Sequence, residues 1–187
     1  MNRVIRLTQP TAEPITLAEA EAHLRIDTDS TEAGLVEAMI SAARDACERY
    51  CNRAWASANF METFDYFPVG GIQLIDPNVT AIVGIEYLDS DGTPATISTS
   101  SLTLDSDLSI IDYSADWPTG TRVKVSYTAG ADAAASTPEY VPESIIIAMK
   151  LLLTDFYENR ASQQWQQLYS NPAADRLMHS YRVGLGV

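Results

Sequence analysis

The chain has 187 residues, with 25 acidic against 12 basic groups, a formal net charge of −13 and a 46% hydrophobic content. That length fits one domain or two small lobes with a proper core. The acidity excludes a conventional nucleic-acid binder, which must neutralise phosphates with clustered Lys and Arg, and disfavours adsorption to an anionic membrane. The two cysteines, Cys47 and Cys51, make no disulfide framework and point to an intracellular setting. The start of the chain lacks the apolar stretch of a secretory signal. The longest apolar run, residues 145–153, is interrupted by Lys150 and is about half the ~20 residues that a membrane span requires.

The first element in chain order is a helix opening at Thr16. Thr16 and Glu19 have the spacing of a reciprocal capping box, Leu17, Ala20 and Leu24 follow at helical spacing, and Asp27-Thr28-Asp29 ends the run. A longer helix from about 31 to 51 carries one apolar stripe of Leu35, Val36, Met39, Ile40, Ala43, Cys47 and Tyr50. Asp29 and Glu32 have capping spacing at its start, and Asn52 suits a left-handed stop.

The period then changes from 3.6 to 2. Phe60, Phe64 and Tyr66 lead to Pro68 and a Gly70-Gly71 turn. Val79, Ala81, Val83, Ile85 and Tyr87 alternate up to Asp89-Ser90-Asp91-Gly92, a hairpin-type turn. Short runs at 102–104 and 108–111 precede 122–127, where Val123, Val125 and Tyr127 share a face. This pattern predicts an antiparallel sandwich or small barrel. Residues 61–140 also hold most of the charge, net −10 against −3 before and zero after. A small-residue linker over 129–140 leads into a helix from 142 to about 159, apolar almost all round. Asn171-Pro172 opens a last helix carrying Leu177, Met178 and Tyr181.

The fold class expected is α+β: helices from both ends, residues 1–58 and 141–187, form one bundle, and residues 59–140 form an inserted antiparallel β lobe. Catalytic and metal chemistry is thin. His23 and His179 stand in no metal-ligand spacing. Cys47 lies on the apolar stripe and reads as a small core hydrophobe. Asp89, Asp91, Asp105 and Asp107 read as turn formers, because neither run continues into a full calcium loop. The expectation is therefore no enzyme, no metal and no cofactor. Trp165 and Tyr169, among Gln163, Gln164, Gln166 and Gln167, have the composition of a docking surface.

Several segments together resemble one family. Residues 17–27 (LAEAEAHLRID) are similar to the opening helix of tailed-phage head–tail connector (adaptor, or head-completion) proteins of the gp6-like and phiE125 gp8-like type. Residues 40–54 are similar to the second helix and its exit, 83–92 to the central strand and turn, and Trp117-Pro118 with 123–130 to the last strand. Residues 141–160 resemble the third helix and 177–182 the closing segment. Cys51-Asn52 replaces the more usual Thr-Gly, and Asn78-Val79 a Pro-Val step. The resemblance implies a structural protein of the virion neck, made and assembled in the host cytoplasm. It would form a ring, expected to be a dodecamer, beneath the portal protein, with genomic DNA passing through the lumen without sequence-specific binding. On the other side it would meet a tail-side completion, terminator or tail tube protein.

Within that expectation, Leu177, Met178, Tyr181, Arg182 and Leu185 are the residues for docking on the portal, a mixed apolar, aromatic and Arg end. Arg44, Arg49, Arg53, Trp165 and Tyr169 are those for the subunit interface, with local pairing of the arginines to Asp45 or Glu48 as the alternative. Two other functions fit the pattern less well: another phage tail-completion adaptor, or a cation-dependent binding module on the Asp-rich lobe.

Overall fold

The structure, a computed structural model, describes residues 3–27, 31–131, 141–159 and 171–184. The chain divides into two units, one comprising residues 1–11 and 57–131 and the other residues 12–56 and 132–187. Among the described residues the first unit contains all the strands and the second four α-helices. The class is α+β.

In the helical unit, α1 spans Leu17–Leu24 and α2 spans Ala33–Cys51. The capping box at the start of α1 is formed: the Thr16 hydroxyl accepts from the Glu19 N–H, and the Glu19 carboxylate accepts from the Thr16 N–H at 2.9 Å. This bonding holds the Glu19 carboxyl below its ordinary pKa. The helix stops earlier than its sequence pattern suggests, because Arg25 turns left-handed at φ 58°. Glu32 caps α2 without a side-chain bond, and Asn52 closes it in the left-handed conformation at φ 54°. Along the predicted stripe Val36, Ile40, Ala43 and Cys47 are buried, whereas Leu35 is 41% exposed.

Helix α3 spans Glu143–Glu158, and α4 spans Pro172–His179. The Asn171 side chain accepts from the N–H groups of Ala173 and Ala174, with Pro172 in the first turn where its missing N–H costs nothing. The core joins Val36, Ile40, Ala43 and Cys47 of α2 to Ile145, Ala148, Met149 and Leu153 of α3. Ala174 and Met178 of α4 and the buried indole of Trp55 complete it.

The other unit contains β1 (Arg3–Arg6), β2 (Ala58–Tyr66), β3 (Ile72–Gln73), β4 (Val79–Leu88), β5 (Pro94–Ile97), β6 (Leu102–Asp105), β7 (Ile110–Tyr113) and β8 (Thr121–Ala129). They form a five-stranded antiparallel sheet in the order β1-β2-β8-β4-β5 and a three-stranded one in the order β3-β7-β6. The small-barrel expectation is corrected, because the larger sheet ends in two edges, β1 and β5. Barrel closure needs an unbroken circuit of ladder bonds. Strand β5 is four residues long and begins with Pro94, which has no N–H to give. Residues 1–11, grouped with the helices on sequence pattern, belong to the β unit because β1 pairs with β2, Arg6 opposite Phe60.

Strand β4 departs from the simple alternation of its sequence. Register shifts occur between Val79 and Ala81, Ile82 and Gly84, and Glu86 and Leu88. Each irregularity exchanges the faces, so Val79 and Ile85 are buried while Ala81 and Val83 face outward. On the covered face of β2 and β8, Phe60 stacks on Tyr127 with centroids 5.9 Å apart. Glu62 is buried beside them and accepts from the Ile75 N–H at 3.2 Å. Burial, with Glu62 and Asp76 nearby, pushes the Tyr127 hydroxyl pKa well above its ordinary value.

Candidate functional site

The second half of α2 and the chain leaving it bring together a set of charged and aromatic side chains. Arg44 lies on the inner side of the helix, 1% exposed. Its Nε donates to Glu13 at 2.7 Å, and its Nη1 donates to both Asp45 and Glu48 at 2.7 Å. Burial alone would lower the pKa of this guanidinium, but its bond to Glu13 and the charges of Glu48, Glu13 and Asp45 outweigh it and hold the pKa above its ordinary value. The other oxygen of Glu48 accepts from the Trp55 and Ala56 N–H groups at 2.9 and 3.3 Å. One arginine thus ties the segment before α1, the helix α2 and the chain leaving it.

Arg49 is on the exposed side of α2, and its Nε donates to the Asp45 carbonyl at 3.4 Å. Arg53 lies with its guanidinium 4.6 Å from the Trp55 ring centroid. The Trp55 ring meets Tyr181 edge-on at 5.8 Å, and the Tyr181 hydroxyl accepts from Ser144 at 3.2 Å. Arg182 is exposed, with its guanidinium 5.4 Å from the Tyr50 ring centroid. Immediately after it, the Val183 N–H donates to the Cys51 carbonyl at 2.8 Å, and the Asn52 amide donates to the Val183 carbonyl at 3.0 Å. The Cys51 carbonyl at the end of α2 thereby receives a partner that a helix terminus leaves open, and Asn52 anchors the same segment from its side chain.

These distances locate the residues singled out from sequence. Met178 is 2% exposed inside the helical core, and Leu177 and Tyr181 are half-buried against it. Arg182 is the exposed member of the set, and Leu185 lies outside the described residues. Arg44 turns inward, Arg49 outward, and Arg53 packs over Trp55. Trp165 and Tyr169 also lie outside the described residues. Of the Arg44 partners, Asp45 and Glu48 are those named as the local alternative, and Glu48 sits one turn after Arg44 as that pairing requires. Glu13, which completes the cluster, was missed, because no helical spacing links it to Arg44.

The β unit has a second aromatic group. The β2–β3 connection places Phe67 among several rings: stacked on Trp117 at 5.1 Å and edge-on to Tyr87 at 5.2 Å, with Tyr113 also stacked on Trp117 at 5.2 Å. The Trp117 indole N–H donates to the Gly70 carbonyl. Beside these rings Tyr66 is 68% exposed and Val69 fully so, at 107%.

The turn aspartates serve the backbone. The Asp89 carboxylate accepts from the Asp91 and Thr93 N–H groups at 2.9 and 2.8 Å, and Asp105 from Asp107 and Leu108 at 3.1 Å each. Among the described residues no group of three or more His, Cys, Asp or Glu could hold a metal ion, and no helix is long and apolar enough to cross a membrane. His23 is exposed, its Nε2 3.0 Å from the Thr154 hydroxyl. Cys47 and Cys51 are buried free thiols, and burial pushes Cys47 up to about 12.

With this geometry in place, residues 14–83 match the phage gp6-like head-tail connector protein family, the family that the sequence resembles. The chain is also similar to solved structures of gene transfer agent (GTA) particles. Against a chain from the neck of an empty GTA particle, computed with C6 symmetry, it has 21% identity and a TM-score of 0.74, covering 99% of this chain and 97% of that one. Against a chain of the native GTA virion the values are 22% and 0.72, with 98% and 97% covered. Against the neck of the native particle, computed with C12 symmetry, they are 22% and 0.69, with 99% and 97% covered. No curated protein matches the chain.

Proposed function

We propose that the chain is a structural head–tail connector of a tailed phage or phage-like particle: a ring subunit in the virion neck, beneath the portal, that continues the DNA channel and gives the tail its platform. The observation that carries this reading is the conjunction of a connector-family match over residues 14–83 with a fold likeness to neck chains over nearly the whole length of both partners. No reaction is assigned to it. In the assembled subunit α1 and α2 form a bundle with α3 and α4 from the later part of the chain, and the β unit is a lobe built from residues 57–131 with the N-terminal strand β1.

The partners in this reading are further copies of the chain, the portal protein and a tail-side completion, terminator or tail tube protein. A dodecamer accords with the C12 symmetry of a similar neck. Such rings form when head-to-tail contacts close on rotation. DNA passes through the lumen without sequence-specific binding, and the net charge of −13 supplies the reason: acidic groups repel phosphates and let the duplex slide. Leu177, Met178 and Tyr181 brace the closing segment against the helical core, and Arg182 and Leu185 carry the portal contact. Arg49 and Arg53, with Trp165 and Tyr169, serve the subunit interface, while Arg44 supports it from within.

Mixing purified protein with its cognate portal ring and weighing the product by native mass spectrometry tests this directly. The expected product is a complex whose added mass matches the portal's symmetry. A monomer that ignores the portal overturns the proposal.

A further inference from the structure

The aromatic group of the β unit has a distinctive setting. Each element that contributes a ring also contributes an aspartate next to it or two positions away: Asp65 before Tyr66 and Phe67, Asp89 after Tyr87, Asp112 before Tyr113 and Asp116 before Trp117. Asp65, Asp112 and Asp116 are exposed. Arg122, on β8, stands at the register position across from Asp65, between the pair of Phe64 with Val123 and the pair of Tyr66 with Thr121. The connection carrying Tyr66 and Val69 is also fixed in shape. Phe67 is held between Tyr87 and Trp117, and the Trp117 indole holds Gly70. A Cβ on Gly71 would lie 2.4 Å from Ile110 and 2.6 Å from the Asp112 carboxylate, and one on Gly120 would lie 2.4 Å from the Tyr87 ring. The result is a braced apolar finger with an acidic rim. Bracing of this kind lowers the ordering cost of a contact.

The end of α2 in the helical unit has the complementary character. Exposed Arg182 lies over half-buried Tyr50, half-buried Arg53 covers the buried Trp55 ring that meets half-buried Tyr181 edge-on, and exposed Arg49 precedes Tyr50 on α2. The acids closest in sequence, Asp45 and Glu48, are engaged by Arg44.

We propose that the acid-rimmed finger of one copy, Tyr66 to Val69, seats on the arginine-rimmed aromatic end of α2 in the next copy. The two surfaces differ and lie on different units of the chain, so the contact is heterologous and propagates from copy to copy, as a closed ring requires. Opposite charge at the two rims sets orientation and rejects finger-to-finger approach. This proposal rests on the ring reading given above.

The test measures ring formation on the cognate portal by native mass spectrometry, with thermal melting of each variant as the control for folding. Val69→Asp places a charge at the tip, and its expected result is loss of the full ring with an unchanged melt. Asp65→Arg, and separately Arg49→Asp, should each leave at most single copies on the portal. Combining the two should restore the ring. A full ring from Val69→Asp, or no recovery in the combined variant while both halves stay folded, overturns the pairing. Loss of all portal binding by Val69→Asp, with the charge variants unaffected, gives the finger to the portal and also overturns it. A wild-type chain that forms no ring defeats the connector reading itself, an outcome separate from a wild-type ring that tolerates Val69→Asp.

Discussion

The guanidinium of Arg44 and the carboxylate of Glu48, one helical turn apart and both buried, meet at 2.7 Å, and Glu48 uses its second oxygen to hold the N–H groups of Trp55 and Ala56. The pair thus carries a connection from the middle of α2 to the backbone that follows the helix. Removing one member leaves a desolvated charge or orphaned donors, the expensive way to break a buried ion pair. Arg44→Ala should therefore lose about 3–5 kcal/mol of unfolding free energy. Denaturant titration of Arg44→Ala, Glu48→Ala and the double variant checks this, and the double variant should cost less than the two single changes added together.

The closing segment separates into a packing part and a free part. Met178→Ala removes a fully buried side chain and should cost about 2–5 kcal/mol in urea unfolding. Arg182→Ala acts on an exposed side chain and should change stability by less than about 1 kcal/mol. Portal binding should fall for Arg182→Ala at unchanged stability, measured by co-sedimentation with the portal ring. A truncation meant to report on docking has to begin after Val183, because cutting at Leu177 also removes Met178 from the core.

Cys47 links stability to alkaline pH. Its thiol is pushed up from 9.0 to about 12, first by burial and then by Cys51 and Glu48. A raised folded-state pKa favours the folded protein fully below the unfolded value of 9.0, and that contribution fades as pH climbs toward about 12, because the unfolded thiol ionises first. Cys47→Ala should flatten the decline in unfolding free energy above pH 9, while wild-type thiols should react with a disulfide reagent only after unfolding.

The capping box at α1 gives a pH effect of opposite direction. Bonds from the Thr16 backbone and hydroxyl hold the Glu19 carboxyl below 4.5. A lowered folded-state pKa stabilises above the unfolded value and loses that contribution as pH falls below 4.5. Thr16→Ala should cost about 1 kcal/mol near neutral pH. The difference from wild type should shrink on acidification, as followed by thermal melts across the range.

Helix ends were readable where local chemistry decides them. Thr16 with Glu19, Asn52, and Asn171 with Pro172 each act within one turn, and each caps or closes its helix as its residue type suggests. The turn at Asp89 to Gly92 was readable for the same reason. Strand faces were not, because β4 carries three register irregularities and a period-2 count has no sign of them. Strands β1 and β5 also escaped notice: each is four residues long, and each exists through a partner strand rather than a pattern of its own.

The candidate site divides along the same line. The arginines and aromatics could be nominated by type, but the inward turn of Arg44 depends on Glu13, 31 residues away, which no helical spacing links to it. The aromatic group depends on rings from 67, 87, 113 and 117, brought together by two different sheets.

Gly71 follows the finger in the chain and Gly120 lies against the Tyr87 ring, and neither has room for a methyl group. The mildest coding change at either codon therefore alters the posture of Tyr66 and Val69 without touching them. In a genetic selection these two positions would yield alleles whose defect appears in particle assembly and whose suppressors map to the facing surface of another subunit, so that heredity itself would trace the contact.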